Sequence, residues 1–225
     1  MDNKTDEYYR QLVLDSVDFG RKNYLNARWI GYCRRKKNIR ITAVINYFID
    51  YFYDYINKFI IVSSLFIDTD NILPAESKKI YTLEKEFLDE NFIKAIAGNT
   101  YFIDDPDIVE KQFYELETDF SLKQSSEDII RKLSYLTMGD GNTFGHLFFV
   151  LEELELIIYP ARGGYEFFGI KSRNNKTAME FFEKTRRKKE FWGAYRAANS
   201  KLKNFPPIQA DLWNPDDCLT QRTIP

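Results

Sequence analysis

Apolar residues recur at helical spacing through most of the first 136 residues, with polar residues between them. This spacing is typical of helices that bury one face. It predicts helices over 5–19, 24–33, 77–98 and 126–136, one that starts at Ile41 and one that starts at Pro106 after the cap Asp105. The run Ile60–Pro74 could continue the third helix or form a strand, because it is rich in β-branched residues.

The pattern changes after the turn-forming run Met138–Gly145. Three short apolar runs of strand length follow, and the middle one alternates Leu and Ile with Glu. We expect a three-stranded antiparallel meander with one apolar face and one face that carries Glu. Its strands are predicted at Leu147–Leu151, Leu154–Tyr159 and Tyr165–Lys171.

A long C-terminal helix is predicted over 174–203, followed by an extended tail over 204–225 that contains four prolines. No linker or internal repeat divides the chain. The pattern therefore predicts a single α+β domain with segregated elements: a mainly helical part over 1–136, a sheet over 144–171, the long helix and the tail.

The apolar segment Ile41–Ile67 is long enough to span a bilayer. Its polar residues recur every fourth position and so share one helical face, at Asn46, Asp50, Asp54 and Lys58. This favours an amphipathic helix on a protein core, and no membrane partner is expected. The chain starts MDNKTDEYYR, without the features of a signal peptide, and its two cysteines lie far apart in sequence. We expect a cytoplasmic protein without disulfides.

Reactive side chains are sparse in this sequence. The one histidine, His146, has no cysteine near it in sequence, and neither a GxSxG elbow nor a P-loop is present. Histidine- or thiol-rich zinc sites are excluded by count. Asp70 with Glu76-Ser77-Lys78 matches the letters of a metal-dependent nuclease, but Pro74 breaks the strand it would need. We expect no cofactor, no metal and no catalytic residue.

Two basic clusters, Arg34–Lys37 and Lys184–Lys189, could bind phosphate. The second lies near two aromatic residues, a mixture that single-stranded RNA could use. Acidic and basic residues are nearly balanced, with a net charge of −2, which argues against a protein that is basic throughout. The nucleic-acid alternative, as a binder or a divergent metal-dependent nuclease, rests on Arg34, Arg35, Lys184, Arg186, Arg187, Lys188, Trp192 and Tyr195.

The stretch FFVLEELELIIYPARGGYEFFGIKS, over Phe148–Ser172, resembles immunity proteins of bacterial contact-dependent and polymorphic toxin systems. Those proteins often carry an apolar strand, an acidic turn, a strand ending in Tyr-Pro and a glycine turn. The resemblance implies a non-enzymatic cytoplasmic protein that neutralises a cognate toxin by tight binding. Acidic residues would then face a basic toxin, and the expected partner-binding residues are Asp104, Asp105, Asp140, Glu152, Glu153 and Glu155.

Overall fold

An eight-stranded antiparallel sheet forms the centre of the fold. The structure is a computed structural model that describes residues 6–17, 27–68, 78–89, 94–96, 121–139, 143–161, 163–196 and 201–205. The strands of the sheet are β1 (Trp29–Arg35), β2 (Ile60–Ser63), β5 (Ser121–Gln124), β7 (Leu147–Leu151), β8 (Leu156–Ala161), β9 (Gly164–Gly169), β10 (Phe191–Arg196) and β11 (Leu202–Phe205). Their order across the sheet is β11-β10-β1-β9-β8-β7-β2-β5.

A second, small sheet has the order β4-β3-β6. Its strands are β3 (Phe66–Asp68), β4 (Lys94–Ile96) and β6 (Thr143–Phe144). The α-helices of the described residues are α1 (Asp6–Ser16), α2 (Ile41–Tyr51), α3 (Lys78–Asp89), α4 (Glu127–Met138) and α5 (Lys176–Thr185). Short 3-10 turns follow α2 at Tyr53–Tyr55 and β7 at Glu152–Leu154.

Helices α2, α4 and α5 cover the first face of the large sheet and share its main core cluster. Phe48 of α2 is fully buried there and stacks on Tyr165 of β9, with ring centroids 4.0 Å apart. The rings of Phe52, Phe59 and Phe149 pack around it. This aromatic cluster joins the helical layer to the middle of the sheet, because it draws rings from α2 and from β7 and β9.

The second face of the sheet has its own buried cluster, to which α1 contributes Val13 and Val17. Trp29 and Tyr32 of β1 and Phe148 of β7 belong to this cluster and are at most 2% exposed. Every residue of β7 and of β9 is buried. The central strands therefore have both faces covered, and no row of exposed Glu runs along them.

The predicted three-stranded meander with a long C-terminal helix is wrong, although the chain does combine helices with a sheet. The three predicted strands pair in order, but as the middle of a sheet that extends on both sides. Helix α5 ends at Thr185, and β10 and β11 both begin within the remainder of the predicted helix, at Phe191 and Leu202. Residues 29–33, predicted to be helical, lie in β1. Both mispredicted strands have few solvent-facing positions, so they show no alternation of polar and apolar residues.

In the N-terminal part, one predicted helix forms at the expected position and another ends earlier than expected. Helix α4 matches the helix predicted over 126–136, and the Ser126 side chain caps it by accepting from the Ile129 N–H at 3.3 Å. The segment from Ile41 is helical only as far as Tyr51, and its β-branched run forms β2. The predicted helix from Pro106 and the tail beyond Phe205 lie outside the described residues.

We expect the Phe48→Ala substitution to lower the free energy of unfolding by about 3–5 kcal/mol, because it leaves a cavity beneath the helical layer. Urea denaturation followed by circular dichroism measures this. Tyr53→Ala is the matched control: Tyr53 is an aromatic residue just beyond the same helix and is 64% exposed, so its loss should cost no more than about 0.5 kcal/mol. Equal effects of the two substitutions would contradict the packing of α2 described above.

Candidate binding surfaces

The two basic clusters meet at one end of the large sheet. Strand β1 pairs with β10 so that Arg35 lies opposite Phe191, and the Lys36 N–H donates to the Glu190 carbonyl at 3.0 Å. This contact places the loop after β1 beside the turn before β10. We call the exposed cations of these two segments the basic pole: Lys36, Lys37, Arg187, Lys188 and Lys189.

The basic pole has little local countercharge. Residues 36–37 and 187–190 contain five cations and one carboxylate, Glu190. Arg186 lies next to the pole but is paired with Glu183 at 3.2 Å. Within the described part of the chain, none of the five cations of the pole forms a salt bridge. Their side chains are exposed at one end of the strands.

Helix α5 holds the second cluster in place. Its N-cap, Asn175, accepts from the Ala178 N–H at 3.0 Å and donates to the Leu154 carbonyl at 2.6 Å, so the start of the helix is tied to the turn after β7. Phe181 and Phe182 bury one face of α5 in the core. The basic run then falls at the C-terminal end of α5, where the partial negative charge of the helix favours cations.

A groove of about 780 Å³ runs between α2 and α5, next to the basic pole. Three tyrosines at four-residue intervals line it from the α2 side, and Lys184, Arg187 and Lys188 line it from the α5 side. Phe52 lies at its base, and it is also lined by Tyr47, Tyr51, Tyr55, Thr177, Asp50 and Glu180.

Each groove tyrosine has a lysine ammonium over its ring. The distance from Nζ to the ring centroid is 5.6 Å for Lys188 and Tyr47, 5.0 Å for Lys184 and Tyr51, and 5.1 Å for Lys58 and Tyr55. These are cation–π distances. We call this arrangement the tyrosine–lysine ladder.

Two of the groove tyrosines, Tyr47 and Tyr51, are neutral at physiological pH. Burial, with a smaller contribution from the charge of Glu180, raises the pKa of Tyr51 to about 12, and burial also raises the pKa of Tyr47. The Tyr51 hydroxyl donates to the Thr177 carbonyl at 3.1 Å, and the hydroxyls of Tyr47 and Thr185 lie 3.3 Å apart. These contacts orient two of the rings. Sequence reasoning missed the three tyrosines, although their spacing of four residues was the available signal.

Several residues of the predicted nucleic-acid site lie elsewhere. Arg34 is 6% exposed, on the second face of the sheet, and forms an ion pair with Glu166 at 3.2 Å. The Arg34 guanidinium also lies 5.2 Å from the ring centroid of Tyr32 and 5.8 Å from that of Trp192. Its charge is therefore matched inside the protein. Trp192 packs on this same second face and donates from Nε1 to the Arg35 carbonyl at 3.0 Å.

Tyr195 and Arg35 also have contacts within the protein. Tyr195 is fully buried in the core of the first face, and its hydroxyl donates to the Glu183 carboxylate. This hydrogen bond and the ammonium of Lys203 lower the pKa of Glu183 to about 2. The Arg35 guanidinium donates to the carbonyls of Lys37 at 3.2 Å and Ile39 at 2.8 Å, so it shapes the loop of the basic pole. The structure thus holds Trp192 and Tyr195 in contacts within the protein and keeps Lys184, Arg187 and Lys188 together.

The acidic residues Glu152, Glu153 and Glu155 form the turn between β7 and β8. Glu153 pairs with Lys58 at 2.8 Å and Glu155 with Lys171 at 2.5 Å, while Glu152 accepts from the Tyr8 hydroxyl at 3.2 Å. Glu155 adopts a left-handed conformation with φ of 54°. The register of β7, β8 and β9 places this acidic turn at the end of the sheet opposite the basic pole. Asp104, Asp105 and Asp140 lie outside the described residues.

His146 and Cys33 do not form a catalytic pair. They lie three strand spacings apart, about 14 Å. Cys33 is fully buried in the core of the first face, which raises the pKa of its thiol. His146 stacks on Phe148 of the second face, and its Nδ1 lies 3.2 Å from the Tyr159 hydroxyl. Burial lowers the pKa of His146 to about 4, so its imidazole is neutral at pH 7.

The described residues also contain no group of three His, Cys, Asp or Glu side chains that could hold a metal ion. Of the nuclease-like letters, Lys78 is the first residue of α3, whereas Asp70, Glu76 and Ser77 lie outside the described residues. In the portion of the chain that is described, no helix combines the length and apolarity needed to cross a membrane.

We expect the free energy of unfolding to fall by about 3 kcal/mol between pH 6.5 and pH 4 because of His146 alone. The unfolded histidine takes up a proton near its ordinary pKa of about 6.5, whereas the folded one resists protonation until about pH 4. Protonation therefore favours the unfolded state across that interval. Urea denaturation at pH 7 and pH 4.5 measures this.

His146→Asn is the matched variant, because it keeps a nitrogen near the Tyr159 hydroxyl and cannot titrate. Carboxylates elsewhere affect both proteins equally, so the stability difference between wild type and variant should change with pH. A difference that stays constant from pH 7 to pH 4.5 would contradict the neutral, desolvated state of His146.

Comparison with protein-family models, curated proteins and solved structures gives no match for this chain.

Proposed function

We propose that this protein is a non-enzymatic, cytoplasmic nucleic-acid-binding protein that contacts the phosphate backbone through its basic pole. The observation that carries the proposal is the meeting of two basic clusters about 150 residues apart in sequence, made by the pairing of β1 with β10. Five exposed cations, with Glu190 beside them and Asp50 and Glu180 in the adjoining groove, form a local positive surface on a chain of net charge −2. Affinity for a polyanion needs such a local surface, not a high overall charge.

Binding at the pole should depend on salt. Each Lys or Arg that contacts a phosphate releases counterions, and the slope of log K against log salt changes by about 0.7 per contact on a single strand. Contacts of Lys and Arg with phosphate carry no sequence information. Such contacts position the nucleic acid on the protein.

We expect a labelled 20-nucleotide single strand to bind at 20 mM salt and to dissociate as salt is raised, as measured by fluorescence anisotropy. The variant Lys37→Gln with Lys189→Gln removes one charge from each cluster and should reduce the salt slope by about 1.4. Lys171→Gln with Lys176→Gln is the control pair, because it removes the same charge near the opposite end of the sheet. Absence of binding at 20 mM salt, or an equal effect of the control pair, would refute the proposal.

The acidic turn favours a second candidate function, that of an immunity-type inhibitor that neutralises a cognate toxin. Its carboxylates are held at fixed positions by Lys58, Lys171 and the exposed Tyr8, and Glu153 remains 53% exposed. Carboxylates placed beside an exposed tyrosine suit a basic partner protein. The supporting feature is this preformed geometry at the end of the sheet away from the basic pole.

We expect excess protein to inhibit the toxin encoded beside its gene, if that toxin is the partner, and Glu153→Lys to weaken the inhibition by at least tenfold. Glu180→Lys is the control, because Glu180 is equally exposed, at 54%, but lies on α5. Titrating toxin activity against each variant measures the effect. Undiminished toxin activity at excess protein would rule this function out for that partner.

A further inference from the structure

We infer that the groove between α2 and α5 binds unpaired nucleotides on its tyrosine–lysine ladder, so that the protein selects single-stranded over duplex nucleic acid. This inference rests on the proposed function. It assigns to the groove the selection of single strands, which the basic pole alone cannot provide. The pole accounts for affinity to any polyanion, whereas the ladder distinguishes exposed bases from paired ones.

The spacing of the tyrosines suits a strand whose bases are separated. Tyr47 and Tyr51 lie four residues apart on one face of α2, which corresponds to about 6 Å along the helix axis. In a stacked duplex each strand advances about 3.4 Å along the helix axis per nucleotide, so neighbouring bases are stacked at that spacing. A ladder with nearly twice that repeat fits a strand drawn out so that each base can meet its own ring.

The chemistry of the groove supplies both contacts that a nucleotide needs. Base faces stack on aromatic rings whatever the base, and phosphates attract ammonium groups. In the free protein Lys184 and Lys188 lie over the rings of Tyr51 and Tyr47. Both ammonium groups sit on exposed, flexible side chains, so each can move from the ring to a phosphate while the base takes its place over the ring.

Two carboxylates in the groove set a limit on how phosphate can lie there. Asp50 and Glu180 are exposed and line the groove. They repel a phosphate placed between the helices and can accept from the exocyclic amino groups of bases. The strand therefore lies with its phosphates toward Lys184, Arg187 and Lys188 and its bases toward α2. A duplex cannot take this position, because its bases are stacked and paired inside.

The test compares a labelled 12-nucleotide single strand with a 12-base-pair duplex, both titrated with the full-length protein at 20 mM salt. We expect the wild type to bind the single strand more tightly. Tyr51→Leu should weaken binding of the single strand by about 5-fold or more and that of the duplex by less than 2-fold, since one stacked base is lost. Tyr51→Phe keeps the ring and should bind like the wild type.

Tyr53→Leu is the matched control, because Tyr53 is exposed just beyond the same helix and does not line the groove. If Tyr51→Leu does not fold, as judged by circular dichroism, Tyr55→Leu replaces it with the same expectations. The inference is overturned if the chosen variant weakens single strand and duplex equally, or neither. It is also overturned if polyglutamate of equal charge competes as well as the oligonucleotide, since the groove would then respond to charge alone.

The two proposals fail in different ways. If neither nucleic acid binds at 20 mM salt, the proposed function falls and the inference falls with it. If both bind, and the Lys37→Gln with Lys189→Gln variant changes the salt slope while removal of the tyrosine ring has no selective effect, only the role of the groove is refuted.

Discussion

Burial of both faces of the central strands is the constraint on which the rest of this structure depends. Every residue of β7 and β9 is buried, so these strands offer no exposed position for a charge. Charged groups are therefore displaced to the ends of the strands. Glu166 of β9 is an exception, and it is tolerated because Arg34 of β1 pairs with it at 3.2 Å. Loss of either partner would leave the other charged and buried, which is more costly than loss of the pair.

The sequence correctly predicted those elements that are determined by a few neighbouring residues. The helix that follows Ser126 forms with that residue as its cap, and the three apolar runs around the Gly163-Gly164 turn pair in order. The alternation of Glu and Leu before Leu156 was misinterpreted as a strand. Glu152–Leu154 is a 3-10 turn, and Glu155 is left-handed, so the acidic residues lie in a connection and not on a sheet face.

Strands β1 and β10, which continue the sheet beyond β9, could not be predicted in this way, and the candidate site depends on them. The runs WIGYCRR and FWGAYR contain few polar residues, and a short apolar run without alternation fits a helix or a buried strand equally well. The glycines in these two runs, Gly31 and Gly193, are the residues that indicate strands. A Cβ on Gly31 would lie 2.5 Å from the Cβ of Tyr195, and one on Gly193 would lie 2.1 Å from the Tyr32 carbonyl oxygen. Such close approach between strands requires glycine, and a helical interpretation leaves both residues unexplained.

The placement of charge at the two ends of the strands also determines how the two candidate functions relate. Strands β8 and β9 are six residues long, so the basic pole and the acidic turn lie about 20 Å apart. The Debye length at physiological ionic strength is about 8 Å, so each end presents its own potential to a partner. The tyrosine–lysine ladder links them structurally, because Lys58 lies over Tyr55 and also pairs with Glu153. A polyanion at the pole and a basic protein at the turn would contact different charged groups, while Lys58 is shared by the ladder and the acidic turn.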